Sequence, residues 1–306
     1  MVQYIRRRLL LSILCLIGVT VVVSAMLHVS GDPVAIMLAG GTATPEQREQ
    51  LRRELGFDKP FAVQYVDFVA GAVHGDLGRS LRMNRPVVEV VFERLPYTLL
   101  LTVLAMAFAV AVAVPVGVIA AARPNGALDY AGRLLTLVGQ SIPLFWLGVM
   151  LVMIFSVRLR WLPSAGAIEP TSIILPAFTL GLYPMARIAR TLRASMQEVL
   201  TRDYCLVARG KGLSEHRVVV RHALRNAALP VITVAALQFG ALLGGAVVTE
   251  TIFAWPGLGL LSVQAIQWRD FPLVRAIVAI VSVMFILVNF ATDVVYAYLN
   301  PRVRFS

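Results

Sequence analysis

Charge is scarce in this sequence. Asp, Glu, Lys and Arg make up 15% of the 306 residues and hydrophobic residues 58%, where a soluble domain carries roughly 25% and 45–50%. So little charge cannot dress a globular surface, and the chain reads as an integral membrane protein. Cysteine is scarcer still. Cys15 lies in an apolar run and Cys205 in a basic stretch, and without a CxxC pair or a Cys/His cluster neither a disulfide framework nor a zinc site is supported. His28, His74, His216 and His222 fall at no HExxH or other ligand spacing, and no Ser/His/Asp or Cys/His set is placed on one site. Metal hydrolysis and nucleophilic catalysis are therefore argued against, and no cofactor is expected. Acidic residues are also few, 17 against 28 Lys and Arg, for a net charge of +11. The arginines flank apolar runs with no aromatic interleaving, so they read as topology signals and no nucleic-acid partner is expected.

What the chain does have is long apolar runs. The first, residues 9–29, follows Arg6-Arg7-Arg8 and reaches the roughly 20 residues a spanning helix needs. It is too long for the apolar region of a signal peptide and lacks a clear cleavage site, so it reads as a retained span. Further runs at 97–122, 134–157, 173–189, 229–253 and 273–298 bring the expectation to six transmembrane helices in an all-α polytopic fold. Pro176 and Pro184 interrupt the fourth, which is expected to be a kinked helix running on through Arg187, Arg190 and Arg193. Lys and Arg fall mostly on alternate connections. Outside the long near-neutral loop, sixteen lie on the expected inner pieces and only Arg158, Arg160, Arg269 and Arg275 on the outer ones. This bias places both termini in the cytosol.

Residues 30–95 read as an extracytoplasmic segment. In it Thr44-Pro45-Glu46-Gln47 has the form of a capping box with proline at the first helical position, and Gly75-Asp76-Leu77-Gly78-Arg79-Ser80 is turn-rich. No internal repeat or low-complexity linker divides the chain, so one membrane domain is expected over 1–306.

The most polar stretch between spans, residues 202–230, carries Arg202, Arg209, Lys211, Arg217, Arg221 and Arg225 against Asp203 and Glu215. Ala208-Arg209-Gly210-Lys211-Gly212-Leu213 reads as a helix end followed by a glycine elbow. Ser214 is placed to cap a second helix, on which Arg217, Arg221 and Arg225 share one face. Gly210-Lys211-Gly212-Leu213-Ser214 superficially suggests a phosphate loop, but that pattern needs Gly at Cys205 and Ser or Thr at Gly212. Gly257-Leu258-Gly259 lacks the third glycine of a dinucleotide fingerprint. An ordinary loop whose arginines reach anionic lipid remains the bland alternative for this stretch.

Four stretches together resemble the membrane permease subunits of binding-protein-dependent ABC importers, in the dipeptide and oligopeptide branch. They are Gly31-Asp32-Pro33, the 75–80 turn, the island from Tyr204 through Arg221-His222-Ala223-Leu224-Arg225-Asn226-Ala227 to Leu229-Pro230, and Glu250-Thr251-Ile252-Phe253 with Trp255-Pro256-Gly257-Leu258-Gly259. The resemblance covers nearly the whole chain. It implies a type I importer permease whose cytosolic loop, residues 198–228, couples to an ATPase through Ala208, Arg209, Gly210, Lys211, Gly212 and Leu213. The general pattern places Glu-Ala-Ala before the glycine, and here Leu206 and Val207 replace the Glu and first Ala. The implied partners are a second homologous permease, two ATPase subunits, an extracytoplasmic solute-binding protein and the lipid bilayer. The implied cargo is di- or oligopeptide, with nickel or glutathione-like substrates as the alternative.

Polar residues in the spans, Gln140, Ser141, Gln238 and Asn289, are candidates for the pathway. Asp76, Arg79, Trp255 and Gly257 are candidates for contact with the binding protein. Glu250 and Asp293 near span ends are expected to be structural or gating residues rather than proton carriers. Gly240 and Gly244 make a small-xxx-small motif, for packing within the chain or against a second permease. A secondary transporter is the reading from a different class, and it would call for midplane ionisable residues and inverted repeats.

Overall fold

The computed structural model describes residues 2–30, 34, 44–54 and 56–299. The Gly31-Asp32-Pro33 stretch, Arg302, Arg304 and the Asp293 side chain lie outside the described residues. The fold is helical. In chain order come α1 (Val2–Val29), α2 (Pro45–Glu54), α3 (Phe61–Val73), α4 (Val87–Ala122), α5 (Ala127–Ser141) and α6 (Leu144–Leu151), which runs on as a wide π-helical turn to Arg158. A 3-10 turn, Pro170–Ile173, leads into α7 (Ile174–Leu200). There follow α8 (Asp203–Gly210), α9 (Glu215–Ile252, with a π-helical turn at Val218–Ala223), α10 (Leu258–Gln267) and α11 (Phe271–Leu299). The chain divides into two compact units, one of residues 1–97 with 257–287 and the other of 98–256 with 288–306.

Five helices are long and apolar enough to cross a membrane, and a sixth span exists if α5 and α6 are taken together. The third expected span, residues 134–157, is broken, because the two helices meet at 103°. Pro143 cannot donate a backbone hydrogen bond and forces the preceding residue out of the helical region. Ile142 accordingly sits at φ −78°, ψ 124°. The second span also begins ten residues earlier than its apolar run. Val87, Val90 and Val91 recur at helical spacing and are buried in the first unit's core, while Glu89 and Glu93 face out. At 36 residues α4 is about 54 Å long, well beyond the roughly 30 Å of the hydrocarbon core.

In the first unit, Val87, Val90 and Val91 pack with Leu258, Leu261, Leu273 and Ile277. The 75–80 turn is fastened to the start of α11. Buried Asp270 accepts Ser80 Oγ at 2.5 Å and the Arg82 amide at 3.1 Å through one oxygen, and caps the Leu273 amide at 3.2 Å with the other. The Thr44 capping box forms as expected, with Gln47 N donating to Thr44 Oγ1 and Thr44 N to Gln47 Oε1.

The second unit is built on α7, which runs through Pro176 and Pro184 without ending. Its buried face, including Met185, Ile188, Leu192 and Met196, packs against α4 and α9. Gly181 sets the crossing with α4. A Cβ there would lie 2.5 Å from the Ala105 carbonyl oxygen and 2.8 Å from Phe108 Cδ1, so only glycine allows the two backbones to approach. Of the arginines at helical spacing on α7, Arg187 and Arg190 are exposed. Arg193 instead forks onto fully buried Asp129 at 2.5 and 2.9 Å, and Arg133 joins the same carboxylate at 2.5 Å. This three-residue cluster ties the start of α5 to α7. Its sequence signal was the Asp129–Arg133 pair one helical turn apart.

Candidate functional site

The 208–213 elbow is a Schellman cap. The Leu213 amide reaches back to the Ala208 carbonyl at 3.3 Å and the Gly212 amide to the Arg209 carbonyl at 2.9 Å. These two bonds satisfy carbonyls that the end of α8 would otherwise orphan. The motif requires a left-handed residue after the helix cap, and Gly212 supplies it at φ +78°. It also favours an apolar contact between the residues that the longer bond joins. Ala208 is 5% exposed and Leu213 is half-buried, both against the second unit's core. Their residue types therefore follow from cap geometry.

Arg209 locks the bend from outside. Its guanidinium forks onto Glu215 at 2.9 and 2.8 Å, and Nη1 reaches the Leu200 carbonyl at 3.1 Å. The hydrogen bond to Glu215 raises the Arg209 pKa above its ordinary value. A single side chain thus joins the end of α7, the end of α8 and the start of α9. Arg209, one of the residues expected to couple to the ATPase, has its Nε, Nη1 and Nη2 engaged within the chain. Lys211 remains exposed at the tip. Ser214 stands at the expected N-cap position in extended conformation, yet its hydroxyl makes no cap bond; its carbonyl instead accepts the Arg217 and Val218 amides.

The outward face of α8 is made of other residues. Cys205 and Ala208, three apart, face the core, and burial pushes the Cys205 thiol above its ordinary pKa. Asp203, Leu206, Val207 and Gly210 share the opposite side. Leu206 and Val207 are 54% and 55% exposed, with Tyr204 at 42% beside them. Sequence reasoning passed over Leu206 and Val207, noting only that they replace a Glu-Ala pattern. The usable signal was two apolar residues on the exposed side of a polar loop. Arg217, Arg221 and Arg225 are all exposed.

The pathway candidates separate. Gln238 is buried and lines a cavity of about 260 Å³ with Thr179, Tyr183 and Pro184. Gln140 lines a second one of about 350 Å³ beside Arg133, Arg190 and Arg193. Ser141 turns its hydroxyl back onto the Leu137 carbonyl at 2.8 Å, and Asn289 is half-buried on α11. Among the binding-protein candidates Asp76 and Arg79 are exposed. Trp255 is 3% exposed and packs with Leu101, Ala105 and Leu180. Gly257 is buried as well. Glu250 is fully buried and accepts Thr98 Oγ1 at 2.7 Å.

Apolar helices long enough to span define a polytopic membrane protein. Residues 113–305 match the family described as binding-protein-dependent transport system inner membrane component, and residues 1–102 match the N-terminal region of such components. The chain belongs to this family and is a multi-pass protein of the inner membrane. It is 44% identical over 336 positions to the dipeptide transport system permease protein DppB of Escherichia coli (strain K12), covering 99% of both chains. It is 43% identical over 307 positions to the glutathione transport system permease protein GsiC of Escherichia coli O6:H1, covering 100% of each. It is also 41% identical to the di/tripeptide permease DppB of Pseudomonas aeruginosa over 99% of both. Among solved structures, an inward-facing MetNI methionine ABC transporter shares the fold, with a TM-score of 0.59 at 19% identity over 69% of this chain and 96% of that one. Family membership carries with it an ATPase and a binding protein as working partners.

Proposed function

We propose that this chain is the permease subunit of an ATP-driven importer of di- and oligopeptides, and that α8 docks on the ATPase. The observation that carries the docking assignment is the pairing of an exposed apolar face, Leu206 and Val207, with a cap and an Arg209–Glu215 lock that hold it rigid. A flexible loop would dissipate displacement; a braced one transmits it. Peptide cargo is supported by the dipeptide and di/tripeptide relatives. Glutathione is the second reading, favoured by near-equal identity to a glutathione permease, and glutathione is itself a tripeptide.

In this reading the permease is one membrane domain with both termini in the cytosol, residues 30–95 outside and 198–228 inside. A homologous permease completes the path, and two ATPase subunits engage the two loops. The fifth span has a surface suited to the permease partner: a Cβ on Gly244 would meet nothing within 4 Å. Asp76 and Arg79 are proposed to meet the binding protein, and the Gln238-lined cavity to border the cargo path.

The test is uptake of labelled Ala-Ala into vesicles holding this chain, its partner permease, the ATPase subunits and the binding protein. Uptake should require ATP and be outcompeted by dipeptides more strongly than by glutathione. Transport by this chain without an ATPase would overturn the proposal, and stronger competition by glutathione would move the cargo to the second reading.

A further inference from the structure

In the first unit a polar cavity of about 360 Å³ is lined by Phe57, Lys59, Asp67, Asp76, Pro272 and Arg275, among others. Its charges other than Arg275 have partners inside the protein: Arg53, which also lines it, lies 3.5 Å from Glu49. Lys59 Nζ lies 2.7 Å from Asp67 Oδ2, and Asp76 Oδ1 accepts the Gly78 amide at 2.8 Å. Arg275, one turn into α11, is different. It is 9% exposed, its Nε makes no hydrogen bond, and no carboxylate of the described residues pairs with it. A guanidinium cannot discard its charge by deprotonation, and burying an ion without a counter-charge is strongly unfavourable.

We propose that this cavity is a carboxylate-binding site, with the Arg275 guanidinium as its counter-ion. The planar fork of arginine matches a carboxylate. Asp67 and Asp76, which also line the cavity, disfavour a dianion such as phosphate, while Phe57 and Pro272 can cover an aliphatic stem. The carboxylate can come from the terminus of a cargo peptide or from an Asp or Glu side chain of the binding protein. The cargo source rests on the importer reading; the site itself does not.

The full chain in lipid nanodiscs tests it, by thermal unfolding with sodium acetate against sodium chloride at equal ionic strength. Acetate should raise the Tm of the wild type in a saturable way, since a ligand that binds only the folded form stabilises it by mass action. Arg275→Met, which keeps the aliphatic bulk, should fold and lose the response. Arg275→Lys should retain it with weaker affinity, because a fork becomes a point charge. Ala-Ala acting at lower concentration than acetate, with its C-terminal amide inert, identifies cargo as the source. Equal action of acetate and Ala-Ala identifies a protein side chain. No acetate response in the wild type, an undiminished response in Arg275→Met, or an equal response to inorganic phosphate would each overturn the site. None of these readouts uses ATP or transport, so failure of the importer reading and failure of the site remain distinguishable.

Discussion

Replacing Gly212 separates the backbone of the elbow from the surface it presents. At φ +78° any L-residue with a Cβ is strained, by about 1–2 kcal/mol for most types and less for Asn. Yet a Cβ built there meets no atom within 4 Å. In the chain by itself, Gly212→Ala and Gly212→Trp should therefore cost similar strain, because the Cβ common to both meets no atom. That strain corresponds to roughly a five- to thirty-fold change in the population of the capped elbow. If the elbow inserts into the ATPase, Trp must lose more than Ala, since only the docked state crowds the space. The expected order of transport is Gly, then Asn, then Ala, with Trp close to zero.

The measurement is ATP-driven uptake by the assembled importer, with co-purification of the ATPase as a second reading and membrane insertion as the control. Gly212→Trp should insert normally and recover less ATPase than Gly212→Ala. Equal loss in the two variants would mean that strain alone matters and that nothing packs over position 212. Normal uptake by Gly212→Trp would refute the docking assignment for the elbow altogether.

Gly181→Ala should destabilise the chain by roughly 1–3 kcal/mol, because its Cβ overlaps the Ala105 carbonyl and that backbone cannot yield cheaply; Gly244→Ala, with open space, should be neutral in the same thermal unfolding assay. Cys205 should resist maleimide in the folded chain, since it is fully buried and its raised pKa leaves less thiolate at pH 8. In a Cys15→Ser background, Leu206→Cys should label quickly and become protected when the ATPase is bound; labelling unaffected by the ATPase would remove Leu206 from the interface.

Membrane class and most of the spans were legible in the sequence because the bilayer imposes a simple rule of length and apolarity on each helix. The break in the third span was not legible for a local reason. Pro143 sits inside an apolar run that has the right length, and hydropathy does not register the loss of one amide. The burial of Trp255 was not legible for a non-local reason: Leu101, Ala105 and Leu180, which close around it, lie far from it in sequence. The elbow itself was legible as a helix end with glycines, but the division of labour within it was not. Ala208, Gly212 and Leu213 drew attention as a pattern, and they serve the cap. Leu206 and Val207 carry the exposed apolar area and form no pattern of their own. Arg209 looked available to a partner because Glu215 lies six residues on, and only the bend brings the two together.

Whether the elbow can act as a lever depends on what lies behind it. The π-helical turn at Val218–Ala223, just beyond Glu215, is the natural point of weakness, since wide turns interrupt regular helical bonding. Packing opposes that weakness. Val218 and Ala223 are fully buried and Val219 is 6% exposed, in one cluster with Cys205 and Ala208 on α8 and with Met185, Ile188 and Leu192 on α7. A dense interior resists shear, because each side chain moved must displace several others. The Arg209 lock adds a further tie between α7, α8 and α9, and as a half-exposed ion pair it contributes at most about 1 kcal/mol. Core packing is therefore the dominant brace and the ion pair a trim on it. Displacement of α8 must then carry α7 and the base of α9 as one body, and the motion needed for alternating access has to be taken up elsewhere in the chain or at its contacts with partners.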